Sequence, residues 1–490
     1  MDVLKELNID INQDLYKTAF THTSYANEHK VESYERLEYL GDAVLELIMS
    51  EYLYLNTKDE EGKMTKTRAH YVCENALYEY SLRLGLNEYL LLGKGESDNG
   101  GKIRKTIVAD IFEAFIGAMF LDKGLAFVKD YIYKYIIYNM EKMMIDLNGK
   151  KILVTFLMHL GDLVLTTPFI HALRKAAPDA HITYLVDEKL KDVVLHNPNL
   201  DEVITIDKLG RDNSILALMA CARRLSKMDF DVVINLHPNE RCSFICAFTK
   251  TKLRVGTTHT MFRPMWDIYI QLDRTIHAAD MYLDVLHELG VKDIQHNGLE
   301  IFPSDEHMKQ AESFWRDNGV FATDKLVGFN IGSAVVTKRW APERFAQVAD
   351  TLAAKGYKPV FFGGTMDEEM VQEAVALMKT TPVVATGAFT IGALAAAMRR
   401  CSLIITNDSG PMHVAISQKV PIVAMYGPSS PKLYGPYTKD ATIVTAIPPC
   451  MGCASGMKHK CDDMQCMTRL TVEQVVEAAE KMLASRGGEE

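Results

Sequence analysis

From Met1 to Met144 the apolar residues recur at intervals of three and four. Leu37, Leu40, Val44, Leu47 and Ile48 form one such row, and Ile107, Ile111, Ala114, Phe115 and Ala118 form another. That spacing puts the apolar side chains on one face of a helix, so an all-α first region is expected. After Asp146-Leu147-Asn148-Gly149 the texture changes. Short β-rich runs at 151–156, 181–186 and 231–236 alternate with helical stretches such as 167–176, and a second series of runs lies at 326–331, 359–362, 403–406 and 421–426. Alternation of this kind predicts βαβ units around a parallel sheet, here two doubly wound α/β domains facing one another. Phe302-Pro303-Ser304-Asp305 opens a helix by Ser/Asp capping, and Asn318-Gly319 marks the passage into the second of them. The expected domains are 1–148, 150–320 and 321–490, with no internal repeat and no low-complexity tract.

A chain of 490 residues agrees with that division, since a domain takes about 150 residues. With 48% hydrophobic and 24% charged residues it is neither a disordered chain nor a collagen-like or disulfide-knotted one. The net charge is −10, so no global positive field draws it to nucleic acid or anionic lipid, and such contacts must come from local patches. The first 149 residues carry 17 Lys+Arg against 25 Asp+Glu, whereas the remainder, with 37 and 39, is nearly neutral. The start, Met1-Asp2-Val3-Leu4-Lys5, lacks a basic segment followed by an apolar one. No apolar run reaches the ~18 residues of a membrane span, and a cytoplasmic location is expected.

The densest chemistry in the helical region is 35–45, Glu-Arg-Leu-Glu-Tyr-Leu-Gly-Asp-Ala-Val-Leu. Glu38 and Asp42 are four apart and leave one helix face together, and Asp110 and Glu113 are three apart on an otherwise apolar helix. Four carboxylates converging from two helices form a ligand set for a hard divalent cation such as Mg²⁺; the plainer reading is two solvated helix faces. Together with Thr21-His22-Thr23-Ser24-Tyr25-Ala26-Asn27-Glu28 and the stretch 109–122, this string resembles the catalytic domain of ribonuclease III over about residues 5–145. The resemblance implies that Glu38, Asp42, Asp110 and Glu113 ligate Mg²⁺, which activates water for attack on an RNA phosphodiester. It also implies a homodimer that cuts both strands of double-stranded RNA, with Glu35 near the dimer contact. The family normally continues into a double-stranded-RNA-binding domain, but here β-rich sequence follows Asn148-Gly149, so weaker duplex affinity is expected. Two basic clusters, Lys63, Lys66, Arg68 and Lys102, Arg104, Lys105, either serve phosphates or are solvated surface.

In the α/β region the run 151–156 leads into Gly161-Asp162 and Thr166-Thr167-Pro168, a strand, a glycine turn and a helix start at the edge where parallel sheets bind ligands. Asp162 there is either a helix N-cap or a carboxylate able to take a proton from an acceptor hydroxyl. The run 403–406 leads into Asn407-Asp408-Ser409-Gly410-Pro411-Met412-His413, which is either a diphosphate cradle at a helix N-terminus or an ordinary capped turn. A third loop carries Lys338 and Arg339, charges able to neutralise a leaving diphosphate. No P-loop or G-x-G-x-x-G string stands at a strand–helix junction, which disfavours a P-loop or dinucleotide enzyme.

These two segments and Thr337-Lys338-Arg339-Trp340-Ala341-Pro342-Glu343-Arg344-Phe345 resemble glycosyltransferase family 9, the ADP-heptose:lipopolysaccharide heptosyltransferase family of the GT-B fold, over about residues 150–485. The resemblance implies a metal-independent, inverting displacement at the anomeric carbon. Asp162 would be the general base, Lys338 would contact the departing phosphate, and Asp408, Ser409 and Gly410 with His413 would hold the nucleotide sugar. The implied partners are ADP-heptose or a related donor and a lipopolysaccharide core acceptor at the cytoplasmic face of the inner membrane.

Cys450, Cys453, Cys461 and Cys466 fall within seventeen positions, with spacing that suits a structural Zn, two disulfides or free thiols. A cytoplasmic setting disfavours the disulfides. The combined expectation is an all-α ribonuclease III domain followed by a GT-B pair of Rossmann-like domains, with both activities on one chain. The rival readings are a glycosyltransferase whose helical domain only dimerises, and an RNA-processing protein with an inactive glycosyltransferase-like passenger.

Overall fold

The helical rows before residue 144 fold as α1 (Asp14–Ala19), α2 (Thr23–His29), α3 (Glu35–Asn56), α4 (Glu61–Tyr71), α5 (Glu74–Arg83), α6 (Lys94–Asp98) and α7 (Lys105–Ile132). The structure is a computed structural model that describes residues 9–11, 13–57, 59–98, 104–133, 136, 145–237, 239–257, 261–262, 265–270, 272–446 and 464–486. By its internal contacts the chain forms two units, Met1–Met144 and Ile145–Glu490.

In the first unit α3 and α7 pack on one another through the rows read from the sequence. Val44, Leu45, Ile48 and Met49 of α3 are buried with Ile111, Phe112, Phe115 and Met119 of α7 in one apolar cluster. The two backbones touch at a pair of glycines. A Cβ on Gly41 would lie 1.8 Å from the carbonyl oxygen of Glu113, and one on Gly117 would lie 2.3 Å from that of Leu37. No other residue type permits this approach, because any side chain at either position would enter the facing backbone.

The second unit holds two six-stranded sheets. The first is built from β1 (Lys151–Thr155), β2 (His181–Asp187), β3 (Glu202–Ile206), β4 (Phe230–Asn235), β5 (Thr251–Thr257) and β6 (Ile268–Ile270), in the order β3-β2-β1-β4-β5-β6. The second is built from β7 (Lys325–Asn330), β8 (Tyr357–Gly363), β9 (Val383–Thr386), β10 (Cys401–Asn407), β11 (Ile422–Tyr426) and β12 (Ala441–Thr445), in the order β12-β11-β10-β7-β8-β9. Every pairing is parallel. The central strands are apolar on both faces, as in Ile152-Leu153-Val154 and Leu403-Ile404-Ile405, because helices cover both sides. One apolar cluster runs from Ile152 and Val154 of the first sheet to Ile404 and Ile422 of the second. These are the two doubly wound domains of the expected GT-B fold.

Strand order reverses between β1 and β4 in the first sheet and between β7 and β10 in the second. Such points leave a crevice at the carboxyl ends of the strands. Into it lead β1, through α8 (Leu160–Val164); β7, through 331–340; and β10, through α9 (Gly410–Ser417). Among the described residues no helix is long and apolar enough to cross a membrane.

Candidate active sites

The glycine contact of the first unit decides where the four carboxylates stand. Gly41 adjoins Asp42 and lies within one turn of Glu38, while Gly117 lies one turn beyond Glu113. Backbone contact at this crossing therefore brings Glu38 and Asp42 beside Asp110 and Glu113. Burial and mutual repulsion shift their acidity. Burial and then the charges of Asp42, Glu38, Asp110 and Glu46 push the Glu113 carboxyl up to about 8. Burial and then the charges of Asp110, Glu35 and Asp42 push Glu38 up to about 7. Asp110 is raised by burial even though the Tyr34 hydroxyl donates to its Oδ2 at 3.1 Å. Glu38, Asp110 and Glu113 are half-buried rather than a solvated face, with Asp42 exposed beside them. Among the described residues no three His, Cys, Asp or Glu side chains are gathered closely enough to hold a metal ion ready-made. The donor set nonetheless fits a divalent cation: it is all oxygen, concentrated in charge, and held by packed helices.

The Thr21–Glu28 motif folds as the cap and body of α2 and pins the segment before α6. Ser24 Oγ accepts from the Gly93 amide at 2.9 Å, and Glu28 Oε1 accepts from the Lys94 amide at 3.0 Å. The basic clusters are engaged locally: Lys63 pairs with Asp59 at 2.9 Å, Arg104 with Glu96 at 2.8 Å, and Arg68 donates to Ser50 Oγ at 2.8 Å. Lys102 lies outside the described residues.

In the second unit the walls of the cleft meet at another glycine pair. A Cβ on Gly161 would lie 3.1 Å from His413 Cδ2, and one on Gly410 would lie 3.1 Å from the Gly161 amide nitrogen. Asp162, in the first turn of α8, is therefore adjacent to the opposite wall. The N-cap of α8 is His159, so the N-cap reading of Asp162 does not hold. Burial raises the Asp162 carboxyl, opposed by the charges of His159 and Lys338 and reinforced by that of Asp408. Lys338 Nζ donates to Asp408 Oδ2 at 2.6 Å, and Ser429 Oγ donates to the same oxygen.

A polar lattice fixes the two loops of the second wall. Asn330 Nδ2 donates to Ser409 Oγ at 2.8 Å, Asn407 Nδ2 to the Ile331 carbonyl at 2.7 Å, and the Trp340 amide to Asn407 Oδ1 at 3.1 Å. Arg339 holds its own loop by donating from Nε to the Ser333 carbonyl at 2.7 Å. His413 is buried, and burial lowers it to about 4, so its ring is neutral; among the described residues its Nδ1 has no partner. Asp162, Lys338, Asp408, Ser409, Gly410 and His413 are thus gathered at one crevice. Sequence reading passed over Tyr34 and Ser429, which hydrogen-bond Asp110 and Asp408 but stand in no recognisable spacing. It also passed over the role of Gly41, although its place next to Asp42 was a usable signal.

The zinc expectation gains no support: Cys450, Cys453 and Cys461 lie outside the described residues, and Cys466 is buried in the last domain's core.

A family model described as glycosyltransferase family 9 (heptosyltransferase) matches residues 218–462, half of the chain. The chain belongs to glycosyltransferase family 9. The match includes Lys338, Asp408 and His413 of this family-9 cleft. The solved glycosyl transferase family 9 structure from Veillonella parvula is 52% identical, with a TM-score of 0.67, and is matched over 70% of this chain and 99% of that one. The structure of E. coli ADP-heptose lps heptosyltransferase II, at 21% identity and TM-score 0.59 over 69% of this chain and 100% of that one, shares the fold. A ribonuclease-III-like family model matches residues 12–140. Ribonuclease 3 of Streptococcus pneumoniae (strain P1031) is 51% identical over 134 residues, 26% of this chain and 58% of the relative. The chain thus spans just over half the length of the curated ribonuclease 3 relatives it matches.

Proposed function

We propose that this family-9 chain carries two enzymes: a Mg²⁺-dependent endonuclease for double-stranded RNA in residues 1–148, and an inverting heptosyltransferase in 150–320 and 321–490. The observation that carries the second is the glycine-to-glycine contact that sets Asp162 against Lys338, Asp408 and His413. The acceptor hydroxyl is placed at Asp162, whose raised carboxyl is a better proton acceptor than an exposed aspartate. As that oxygen attacks the anomeric carbon, the bond to the nucleoside diphosphate breaks on the far side and the configuration inverts. The departing diphosphate takes over the Lys338 ammonium, now paired with Asp408, and the amide end of α9. ADP-heptose as donor and a lipopolysaccharide core acceptor are proposed from the family and from its E. coli member, the ADP-heptose lps heptosyltransferase II.

The same reading assigns Glu38, Asp42, Asp110 and Glu113 as the residues that would hold Mg²⁺. Bound there, the ion supplies an activated water and neutralises phosphate charge. The protein's part is to keep four carboxylates together against their repulsion, through the α3–α7 crossing and the Tyr34 hydrogen bond. The proposed enzyme is a homodimer, acting in the cytoplasm. A purified full chain should cleave duplex RNA with Mg²⁺ and consume ADP-heptose in the presence of a core acceptor. EDTA should stop the first and spare the second. RNA cleavage absent at every Mg²⁺ concentration would favour the dimerisation-only reading. Absent donor turnover would favour the passenger reading.

A further inference from the structure

The helix α10 (Ile215–Ser226) uses Leu218, Cys221, Ala222 and Leu225 to cover the first sheet. Its first turn nonetheless exposes two large apolar side chains: Ile215 is 70% exposed and Leu216, on the outer face, 82%. Leu209, in the connection just before, is 64% exposed. Among the described residues of 145–490, no other three exposed large apolar residues fall within eight consecutive positions.

The connection is built to present them. Asp207 accepts from the Gly210 amide at 2.9 Å and the Arg211 amide at 3.1 Å, and Asp212 Oδ2 accepts from the Asp207 amide at 2.9 Å. Ser214 caps the helix by accepting from the Ala217 amide at 3.2 Å. Leu209 therefore stands on a closed turn. Farther along, Arg223 and Lys227 continue the face of Leu216 with Arg224 beside them, all three exposed, and no acidic residue stands between Ile215 and Met228.

We propose that this face docks on an anionic lipid bilayer, Leu209, Ile215 and Leu216 entering the headgroup boundary while Arg223 and Arg224 meet lipid phosphates. The proposal rests on the reading of a lipid-linked acceptor and adds the surface by which the enzyme reaches it. Charge complementarity selects the occupant: three apolar side chains are too few for a stable protein interface, which buries about 800 Å² a side, but suffice with basic neighbours for interfacial adsorption. The position is apt as well. Lys208, adjacent to Leu209, donates to the Leu157 carbonyl at 2.9 Å and the Met158 carbonyl at 3.2 Å, just ahead of Asp162. The docking face is thus tied to the acceptor wall of the cleft, and adsorption would bring the catalytic carboxylate near the membrane surface.

The test is co-sedimentation of the full chain with vesicles of equal parts phosphatidylglycerol and phosphatidylethanolamine, beside vesicles of phosphatidylcholine alone. The parent should bind the anionic vesicles preferentially and release with salt. The triple variant Leu209→Ser/Ile215→Ser/Leu216→Ser should lose affinity on the order of 100-fold or more. Arg223→Glu/Arg224→Glu, which leaves the apolar tip intact, should abolish the preference for anionic lipid. Both variants should keep the parent's transfer rate to a delipidated, soluble acceptor. A parent that ignores anionic vesicles, or a triple variant that binds as tightly as the parent, overturns the docking surface even if soluble transfer proceeds. Vesicle binding lost in both variants, with no transfer by any of them, leaves the surface standing and removes the heptosyltransferase reading instead.

Discussion

Replacing Glu113 by Gln should make the helical unit more stable and catalytically dead at the same time. The Glu113 carboxyl is pushed from 4.5 to about 8 by burial and by Asp42, Glu38 and Asp110, so above pH 8 the folded unit carries a charge it holds unwillingly. A displacement of that size corresponds to at most about 5 kcal/mol, at 1.36 kcal/mol per pH unit. Partial exposure to water and the sharing of the repulsion among four coupled groups bring this down to about 2 kcal/mol. The sign follows from linkage. Below about pH 4.5 the group is protonated in both folded and unfolded chains and costs nothing. Between there and pH 8 the unfolded chain ionises first, and the folded unit loses stability as pH rises. In EDTA, Glu113→Gln should therefore match the parent at pH 4 and melt about 5 °C higher at pH 8.5. Trp266, Trp315 and Trp340 all lie in the second unit, so tryptophan fluorescence reports that unit alone, and far-UV circular dichroism adds the helical one. The added stability should appear in the dichroism transition and leave the fluorescence transition in place. Mg²⁺ should raise the parent's melting and have a smaller effect on the variant, and duplex cleavage should vanish. An unchanged or lower midpoint for Glu113→Gln at pH 8.5 would refute the claim that these carboxylates are held together against repulsion.

Gly41→Ala should destabilise the helical unit by about 1–3 kcal/mol, the usual range for overpacking, and stop RNA cleavage, because α3 and α7 must separate to admit the methyl group; wild-type cleavage by this variant would remove the glycine crossing from the argument. Asp162→Ala should lower heptose transfer roughly 10²- to 10⁴-fold while still binding donor, whereas Asp408→Ala should weaken donor binding itself, as read by titration with ADP-heptose; identical defects in the two would speak against separate roles. RNA cleavage should fall steeply between about 50 and 200 mM salt, because phosphate contacts are electrostatic and no RNA-binding domain follows the helical unit before β1. Cleavage insensitive to salt would show that other contacts hold the duplex.

Period alone separated the helical region from the α/β region, since a helix repeats its buried face every three to four residues and a strand buried on both faces is a short unbroken apolar run. The central strands β1, β4, β7 and β10 were legible for that reason. The strands β3, β5, β6, β9 and β12 were not, because short or partly exposed strands such as Thr251–Thr257, which alternates with Lys and Arg, resemble loop. The charged site residues also stood out along the chain, through their motifs and their family resemblance. What the linear order could not carry was the contact between distant segments. Glu38 meets Glu113 because Gly41 and Gly117 let two backbones touch, and Asp162 meets Lys338 and Asp408 because Gly161 and Gly410 do the same across the cleft. That Lys338 is paired with Asp408, that Asp162 is not a cap, and that Glu113 holds its proton well above the ordinary range are consequences of burial and proximity. Those properties depend on which groups share a low-dielectric space, and only tertiary packing decides that.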